Sequence, residues 1–480
     1  MLIMRKPLKT LGTNAWLLAC LAAATALVSA ADASGPCFLP VLQSDSNGFV
    51  GLSLVNTAGL TNEASVTWTG PDGKGVRTGR LSLSPGAQRA FVVREILGTP
   101  RDPEDGWIRV DSSEPGLLSY LTSGTNGILD GAEPVSELAK TVLLDYVKVN
   151  TGFVELDNTD TSLILVNPGD TAASARVDLI ALDGRPAGSL PVPVPARGSL
   201  TIRVSQSFRD VLPENGVGGR RFDGYAKAVA DVGLAAWLRV DTPLSLRVLR
   251  GRAPDETGPT SLAIAGHFAS GGASLYRSTL NLINAGDGPA RLELLAQDDR
   301  GRAIGDSTYL TLDPGQGIRE DVLSLFRVEI PDIFPPPLIT GYIRIRESGG
   351  GVFRSIGDVD VYSGSDAAAV LFPIGAATSR EWTLPFAISG REYFTGFAIA
   401  NANELLTVQT DVSIELLDVE GLLAAPPRNI SLSPSAYFTA LVEQEISNGY
   451  LRIRANGPVV VGGSIGTCSG NALAFLPAFR

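Results

Sequence analysis

The chain of 480 residues has one histidine, His267, among the side chains that carry out acid and base chemistry. A single imidazole excludes a metal site with several histidine ligands and disfavours mechanisms that use more than one histidine. His267 lies in a strand-like segment. We therefore expect it to be an ordinary strand or surface residue.

One serine has the spacing of a hydrolase nucleophile. The segment Gly462-Gly-Ser464-Ile-Gly466 matches Gly-x-Ser-x-Gly, which needs a strand, a sharp turn and a helix, with a histidine later in the chain. No helical pattern and no histidine follow Ser464. The segment therefore predicts a glycine-rich strand edge or bulge and no catalytic serine.

Three groups of acidic residues offer the oxygen atoms that Ca²⁺ prefers as ligands. They are Asp157-Asn-Thr-Asp160, Asp298-Asp299 and Asp358-Val-Asp360. None has EF-hand or nonapeptide calcium-repeat spacing, so we expect turn and solvated-strand roles. Calcium that stiffens the contacts between units is the alternative, and we predict no other cofactor.

Aromatic side chains can stack against sugar rings, and four tryptophans are candidates: Trp68, Trp107, Trp237 and Trp382. We expect all four to serve packing. Trp382, near a boundary between repeats, is the strongest sugar-binding candidate among them.

The first thirty residues have the layout of an export signal. Three basic residues precede an apolar run from Ala15 to Val28, and small residues at Val28-Ser-Ala30 predict cleavage after Ala30. The run is too short to span a bilayer, and no later segment is long enough, so we predict no transmembrane segment in the mature chain. The alternative is a lipobox, Leu17-Leu-Ala-Cys20, in which Cys20 is lipidated.

Export leaves two cysteines, Cys37 and Cys468, near opposite ends of the mature chain. In an oxidising compartment such a pair is a disulfide candidate, and two free thiols are the alternative. A disulfide needs Cα atoms within about 7 Å, so a straight row of domains would keep the two apart. A bridge then requires a closed chain or a neighbouring molecule.

The chain is acidic. Its net charge is −11, and loss of the leader, which has three basic and no acidic residues, makes it −14. Such a charge repels nucleic acid and anionic membranes, so we predict neither as a partner.

The dominant feature is a repeat with four landmarks, which recurs about 115 residues apart. An apolar strand ends in an asparagine at Asn56, Asn167, Asn284 and Asn401. A hairpin glycine follows at Gly73, Gly184, Gly301 and Gly421. A proline then closes a strand at Pro85, Pro195, Pro314 and Pro434. A Gly-aromatic-x-basic strand comes last, as Gly106-Trp-Ile-Arg109, Gly224-Tyr-Ala-Lys227, Gly341-Tyr-Ile-Arg344 and Gly449-Tyr-Leu-Arg452.

Each repeat predicts seven or eight short strands and a helical turn, such as 94–97 or 321–325. This is typical of an all-β fold built from β-sandwiches. The predicted division is a signal peptide at 1–30 and β-sandwich repeats at 35–139, 140–258, 259–377 and 378–480. Short linkers predict close contact between successive units.

The order of landmarks resembles the tandem immunoglobulin-like repeats of secreted or surface proteins of environmental bacteria. The resemblance covers nearly the whole mature chain and implies four immunoglobulin-like β-sandwich domains. Such repeats serve as spacers, surface scaffolds or adhesive modules, and the resemblance implies no functional residue in this sequence.

We therefore predict an exported, non-catalytic structural or adhesive protein that is extracellular, on the cell surface or periplasmic. Its expected partner is a protein or glycan surface, or a second copy of the chain. The alternatives are a carbohydrate-binding protein and a glycoside hydrolase-like enzyme that uses two carboxylates. Fourfold repetition argues against the enzyme, because a catalytic site is needed only once.

Overall fold

The computed structural model describes residues 35–42, 48–125, 128–152, 158–215, 218–256, 262–348, 354–365, 368–375, 378–403, 408–470 and 472–480. The fold is all-β, as predicted. The predicted leader, Cys20 and Asp157 lie outside the described residues. Within the described ranges, no helix is long and apolar enough to cross a membrane.

We call the four sequence repeats units 1 to 4. Unit 1 has eight strands and one short helix: β1 (Cys37–Pro40), β2 (Phe49–Asn56), β3 (Asn62–Thr69), β4 (Arg77–Leu83), β5 (Gln88–Val92), α1 (Val93–Leu97), β6 (Trp107–Ser112), β7 (Leu117–Thr125) and β8 (Ile128–Ala132). They form two antiparallel sheets, with orders β1-β6-β3-β4 and β5-β2-β7-β8.

The other units follow the same chain order. Unit 2 contains β9 (Ala139–Asn150), β10 (Asp160–Val166), β11 (Ala173–Ala181), β12 (Pro186–Val194), β13 (Ser199–Arg203), α2 (Val204–Ser207), β14 (Glu214–Asn215), β15 (Gly219–Asp241) and β16 (Leu246–Arg250). Unit 3 contains β17 (Leu262–Ser270), β18 (Arg277–Asn284), β19 (Ala290–Gln297), β20 (Thr308–Leu312), β21 (Gly317–Asp321), α3 (Val322–Leu325), β22 (Ile339–Ser348), β23 (Ser355–Tyr362) and β24 (Ala369–Gly375). Unit 4 contains β25 (Ser379–Ser389), β26 (Tyr393–Asn401), β27 (Thr410–Leu417), β28 (Arg428–Leu432), β29 (Tyr437–Leu441), β30 (Ile446–Thr467) and β31 (Leu473–Leu476).

One strand order therefore recurs. If the strands of a unit are lettered a to h, the first sheet is a-f-c-d and the second sheet is e-b-g-h. In units 2 and 4, strands f and g are a single long strand, β15 or β30, that crosses from one sheet to the other. Both sheets contribute to one core, as in unit 4, where Ile414 of β27 and Ile399 of β26 belong to the same cluster of buried side chains. This face-to-face packing is that of a β-sandwich.

The repeated asparagine holds each unit together from inside. Asn56 is buried, and its Nδ2 donates to the carbonyls of Leu60 at 2.8 Å and Leu83 at 2.9 Å, while its Oδ1 accepts from the Ala58 N–H at 3.0 Å. The three other asparagines make the matching bonds. The side chain thus fixes the b–c turn to the end of strand d and satisfies buried backbone groups.

The units close into a ring. The h strands of the four units are β8, β16, β24 and β31. They contact one another in a closed cycle, which we call the hub. Each h strand also packs into the core of the preceding unit: Val248 into unit 1, Leu371 into unit 2, Phe475 into unit 3 and Leu129 into unit 4. Unit 4 therefore contacts unit 1, and the units do not lie in a straight row.

Candidate functional site

The repeated aromatic residue lies at the contact between its unit and the next one. We call each such contact a joint. Its ring N–H or hydroxyl donates to a carbonyl in the proline turn of that unit. The bonds are Trp107 to Arg197 at 2.9 Å, Tyr225 to Gly315 at 2.9 Å, Tyr342 to Ser435 at 2.6 Å and Tyr450 to Gly86 at 2.8 Å. All four acceptor residues have positive φ, so their turns present the carbonyl in the same way. The last bond closes the ring.

A backbone hydrogen bond repeats at the same joints. The N–H groups of Ser199, Gly317, Tyr437 and Gln88 donate to the carbonyls of Pro71, Leu182, Asp299 and Val419, at 2.9, 2.7, 3.3 and 2.9 Å. Each acceptor lies two residues before a hairpin glycine. These glycines have positive φ, and at Gly421 an added Cβ would lie 2.4 Å from the Gly86 oxygen. Three of the four sequence landmarks thus belong to the joints.

The joint between units 2 and 3 contains a buried polar network. Asp145 lies at a bulge of β9 beside Tyr225, and its carbonyl accepts from Asn281 Nδ2 at 2.7 Å. The same Nδ2 donates to Asp358 Oδ2 at 3.1 Å. Asp145 and Asp358 are 1% and 0% exposed. Both carboxylate oxygens of Asp145, and Oδ1 of Asp358, have no hydrogen-bond partner among the described residues.

Burial sets the protonation of this acidic pair. It raises the pKa of Asp145, against the opposing charges of Arg252 and Arg319. Burial also raises the pKa of Asp358 well above its usual range, and the charge of Asp145 raises it further. The pair therefore holds a proton more readily than ordinary aspartates do.

The acid two residues further along β23, Asp360, forms an ion pair and accepts a hydrogen bond from a tyrosine. Arg247 Nε lies 2.9 Å from Asp360 Oδ1, and the Tyr146 hydroxyl donates to Asp360 Oδ2 at 2.8 Å. Arg319 bonds Asp223 at 2.7 Å and stacks 4.1 Å from the centre of the Tyr146 ring. These contacts join β9, β15 and β16 of unit 2 to β21 and β23 of unit 3.

Another buried carboxylate, that of Asp130, connects three units at the hub. Asp130 of β8 is 1% exposed and its Oδ1 accepts from the Phe475 N–H of unit 4 at 3.2 Å. Burial raises the pKa of Asp130, while backbone N–H groups, among them that of Val248 in unit 2, oppose the rise. This carboxylate serves the assembly of the ring.

An open cleft of about 570 Å³ lies at one end of unit 2. It is lined by Thr151, Gly152, Asn158, Thr159, Asp160, Arg203, Gly218, Gly219, Asp241, Thr242 and Pro243. Asp160 accepts from Arg203 Nε at 2.7 Å and from the Ser205 N–H at 3.2 Å, so its carboxylate secures the start of α2. Asp241 is paired with Arg239 at 2.6 Å. The acids of this cleft are thus already engaged.

His267 and Ser464 occupy strands. His267 lies half-buried in β17 against the Tyr437 hydroxyl of unit 4, and burial lowers its pKa to about 4. Ser464 lies inside β30, paired with Gly396 and Phe475 on either side. A strand on both sides leaves no place for a nucleophile elbow there.

Three of the four candidate tryptophans are buried, as expected, and the fourth, Trp68, is half-buried against the core of unit 1. Trp107, Trp237 and Trp382 are 4%, 0% and 6% exposed. Trp237 Nε1 donates to the Glu133 carbonyl of unit 1 at 2.9 Å, so Trp237 is also a joint residue. Trp382, the strongest sugar-binding candidate, donates to the Val459 carbonyl at 3.0 Å within its own unit.

The predicted acidic groups divide into two kinds. Asp298 has the expected turn role, since it accepts from Arg302 Nε at 2.7 Å and from two turn N–H groups. The prediction of a solvated strand was wrong for Asp358 and Asp360, because unit 2 covers their face of β23. Within the part of the chain that the structure describes, no three His, Cys, Asp or Glu side chains are grouped to hold a metal. Calcium binding stays a prediction.

Both cysteines are free thiols. Cys37 Sγ lies 3.0 Å from Ser119 Oγ, and burial raises the Cys37 pKa to about 11. Cys468 is exposed and its Sγ lies 3.6 Å from the Gly390 carbonyl. Units 1 and 4 are in contact, but no bridge joins Cys37 to Cys468. A bridge between molecules stays a prediction.

The buried network was missed from the sequence, although a clue was present. The position of Asp358 in β23 corresponds to Tyr120 in unit 1, Trp237 in unit 2 and Gly462 in unit 4. An acidic residue at a position that holds a buried aromatic residue or a glycine in the other units indicates that the joint between units 2 and 3 differs from the others.

No protein-family model matches the chain, and no curated protein does. Among solved structures, the chain is similar to Thermotoga maritima 1070, with 18% identity over 24% of this chain and 95% of that chain and a TM-score of 0.20. It is similar to the Anabaena sensory rhodopsin transducer, with 15% identity over 21% and 87% and a TM-score of 0.18. It is also similar to a family 32 glycoside hydrolase from Bifidobacterium adolescentis, with 10% identity over 91% and 99% and a TM-score of 0.15. Similarities this low support no conclusion about function.

Proposed function

We propose that the chain is an exported, non-catalytic structural or adhesive protein of the bacterial cell envelope or extracellular space. The observation that carries the proposal is the position of the repeated residues, which lie at the contacts between units. The aromatic residue, the hairpin glycine and the proline turn of every unit meet those of a neighbour. Repetition of this kind serves assembly, whereas a catalytic site would be needed once.

We further propose four tandem β-sandwich domains at 35–139, 140–258, 259–377 and 378–480, after a cleaved signal peptide. The proposed relation to immunoglobulin-like repeats is limited to the sandwich architecture. The strand orders a-f-c-d and e-b-g-h differ from the A-B-E-D and C-F-G orders of immunoglobulin domains.

The chemistry of the acids supports a role without catalysis. Glycoside hydrolysis needs two carboxylates on either side of an open substrate site. Here Asp145, Asp358 and Asp360 are buried in a joint, and Asp160 in the unit 2 cleft is bonded to Arg203. The carbohydrate-binding alternative needs a cluster of exposed aromatic faces, and three of the four candidate tryptophans, Trp107, Trp237 and Trp382, are buried. If the protein bound no sugar on a glycan array, that alternative would be excluded.

Cell fractionation of the tagged full chain tests the proposed export. We expect the protein outside the cytoplasm, with a mass that corresponds to a chain starting at Ala31. A protein retained in the cytoplasm with its first thirty residues intact would overturn the proposed location and structural role. A mature chain that begins at a lipidated Cys20 would replace the soluble form of the proposal with a membrane-anchored one.

A further inference from the structure

The joint between units 2 and 3 encloses two carboxyl groups that one amide connects. Asp358 of β23 and Asp145 of β9 are buried, and Asn281 Nδ2 donates to Asp358 Oδ2 at 3.1 Å and to the Asp145 carbonyl at 2.7 Å. Three of the four carboxylate oxygens have no hydrogen-bond partner among the described residues. Two charged carboxylates in such a place repel each other and lack solvation, so the closed joint favours a pair that holds one proton.

The positive groups around the pair are bonded elsewhere. Arg319 of β21 bonds Asp223 at 2.7 Å, and Arg252 donates to the carbonyls of Gly357 at 3.2 Å and Ile374 at 3.4 Å. The other charged groups of this joint pair with one another, Arg247 with Asp360, and Arg250 with Glu133 and Glu256. Burial therefore outweighs the nearby arginines, and the pKa of both carboxyl groups of the pair is raised.

The corresponding places in the other units have no carboxyl group. Asn281 and Asp358 lie opposite each other on β18 and β23. The corresponding pairs are Ser53 and Tyr120 in unit 1, Ile164 and Trp237 in unit 2, and Ala398 and Gly462 in unit 4. At the joint between units 4 and 1, Ser53 donates to the Pro385 carbonyl at 2.7 Å, much as Asn281 donates to that of Asp145. Only the joint between units 2 and 3 therefore has an acidic pair at this place.

We propose that the joint between units 2 and 3 is a pH-operated latch, which is closed while Asp145 and Asp358 hold a shared proton and opens at alkaline pH, while the other three joints stay closed. In the open joint both carboxyl groups reach water and ionise at an ordinary pKa of about 3.9, and the proton passes to water. The stabilisation of the closed joint is therefore complete below about pH 3.9 and is lost as pH rises through the raised pKa of the pair. The latch goes beyond the proposed structural or adhesive role and does not depend on it.

Matched apolar side chains at two joints allow the latch to be tested. Ile356 is 4% exposed and belongs to a buried cluster with Tyr225 of unit 2. Leu118 is 9% exposed and has the corresponding place at the joint between units 4 and 1, in a cluster with Tyr450. A cysteine at either position is covered in the closed joint and reacts with a thiol reagent when the joint opens.

Thiol labelling between pH 6 and pH 9 tests the proposal. Ile356→Cys and Leu118→Cys are each made in the full chain whose own cysteines, Cys20, Cys37 and Cys468, are replaced by serine. Each labelling rate is divided by that of an unstructured thiol peptide at the same pH, which removes the effect of thiol ionisation. We expect the corrected rate for Ile356→Cys to rise at least about tenfold and that for Leu118→Cys to stay constant, because release of one proton changes the opening constant tenfold per pH unit.

Asp358→Asn, added to Ile356→Cys, is the matched control. It keeps the pair from carrying two charges and should remove the rise. If the first two variants do not fold, Ile283→Cys and Val55→Cys repeat the comparison at the positions opposite Ile356 and Leu118. Three outcomes would overturn the proposal: equal rises at the two joints, no rise at the joint between units 2 and 3, and a rise of the same size with Asp358→Asn.

Discussion

At the scale of single residues, two aspartates of β23 have opposite environments although they share one face of one strand. Asp360 is paired with Arg247 and the Tyr146 hydroxyl. Burial raises the pKa of Asp358, which instead interacts with the like charge of Asp145, and this charge raises the pKa further. A buried charge that is paired holds a joint together, whereas two buried like charges weaken it.

We expect Asp358→Asn to raise the melting temperature at pH 8. The folded-state pKa of Asp358 is raised, mainly by burial and then by Asp145. Its protonation therefore stabilises the fold below the unfolded pKa of about 3.9, and this stabilisation is lost as pH rises through the folded pKa. Asparagine mimics the protonated form at every pH, so the gain over the wild type should shrink as pH falls to about 3.5.

Asp360→Asn is the matched control, because it changes the neighbouring acid in the same way. It breaks a buried ion pair, and we expect a loss of about 3–5 kcal/mol in the free energy of unfolding. Urea denaturation at pH 8 gives the free energy of unfolding of both variants, and thermal unfolding gives the melting temperatures. A loss of stability for Asp358→Asn at pH 8 would contradict this account of the acidic pair.

The two cysteines should differ in reactivity. Burial raises the Cys37 pKa to about 11, while Cys468 is exposed. The thiolate is the reactive form of cysteine. A chain without residues 1–30, and so without Cys20, should therefore react quickly with one equivalent of a thiol reagent at pH 8, at Cys468. Cys468→Ser should abolish the fast reaction. If two thiols reacted quickly, or none did, the described surroundings of Cys37 or of Cys468 would be wrong.

At the scale of elements, each joint combines an aromatic tip with a turn carbonyl. We expect Tyr450→Phe to cost about 1 kcal/mol of unfolding free energy, since it leaves the Gly86 carbonyl without its donor. The control is Tyr309→Phe, which removes a hydroxyl bonded to Glu293 at 3.2 Å on a residue that is 71% exposed, so the change should be nearly neutral. Equal effects of the two changes in chemical denaturation would argue against the joint.

The hairpin glycines give a stricter test of the same joints. In Gly421→Ala the new Cβ would approach the Gly86 oxygen to 2.4 Å at a residue with φ of 80°. Gly98→Ala has the same kind of backbone strain, with φ of 63°, but open space around the Cβ. We expect about 1 kcal/mol of destabilisation for Gly98→Ala and about 3 kcal/mol or more for Gly421→Ala. Similar losses for both would mean that strain alone, and no contact between units, acts at Gly421.

Local features of the fold were predictable from the sequence. Alternating apolar residues predicted the strands, and the helical turn expected at 321–325 is α3, where Asp321 accepts from the Ser324 N–H at 2.9 Å. The joints were not predictable, because Tyr450 and Gly86 lie far apart in the chain and a repeat marks each residue without its partner. Burial of Asp358 was missed for a related reason: alternation tells which residues share a face, and not whether another unit covers it.

At the scale of the whole molecule, the ring has no end unit. Open arrays of repeats need terminal repeats with a polar outer face to cover the last interface. Here strand h of unit 1 fills that place in unit 4, where Leu129 packs against the core. The Tyr120 hydroxyl also donates to the Phe475 carbonyl of unit 4 at 2.6 Å. The contact between the first and last units is therefore the central claim.

Hydrogen exchange at the Gln88 amide tests this claim most directly. Gln88 donates its N–H to the Val419 carbonyl across the closing joint, as Ser199, Gly317 and Tyr437 do at the other three joints. The ring predicts that all four amides are protected to within about tenfold of one another. Exchange of Gln88 about a hundredfold faster than the other three would contradict it, because the edge of unit 1 would then be open to solvent.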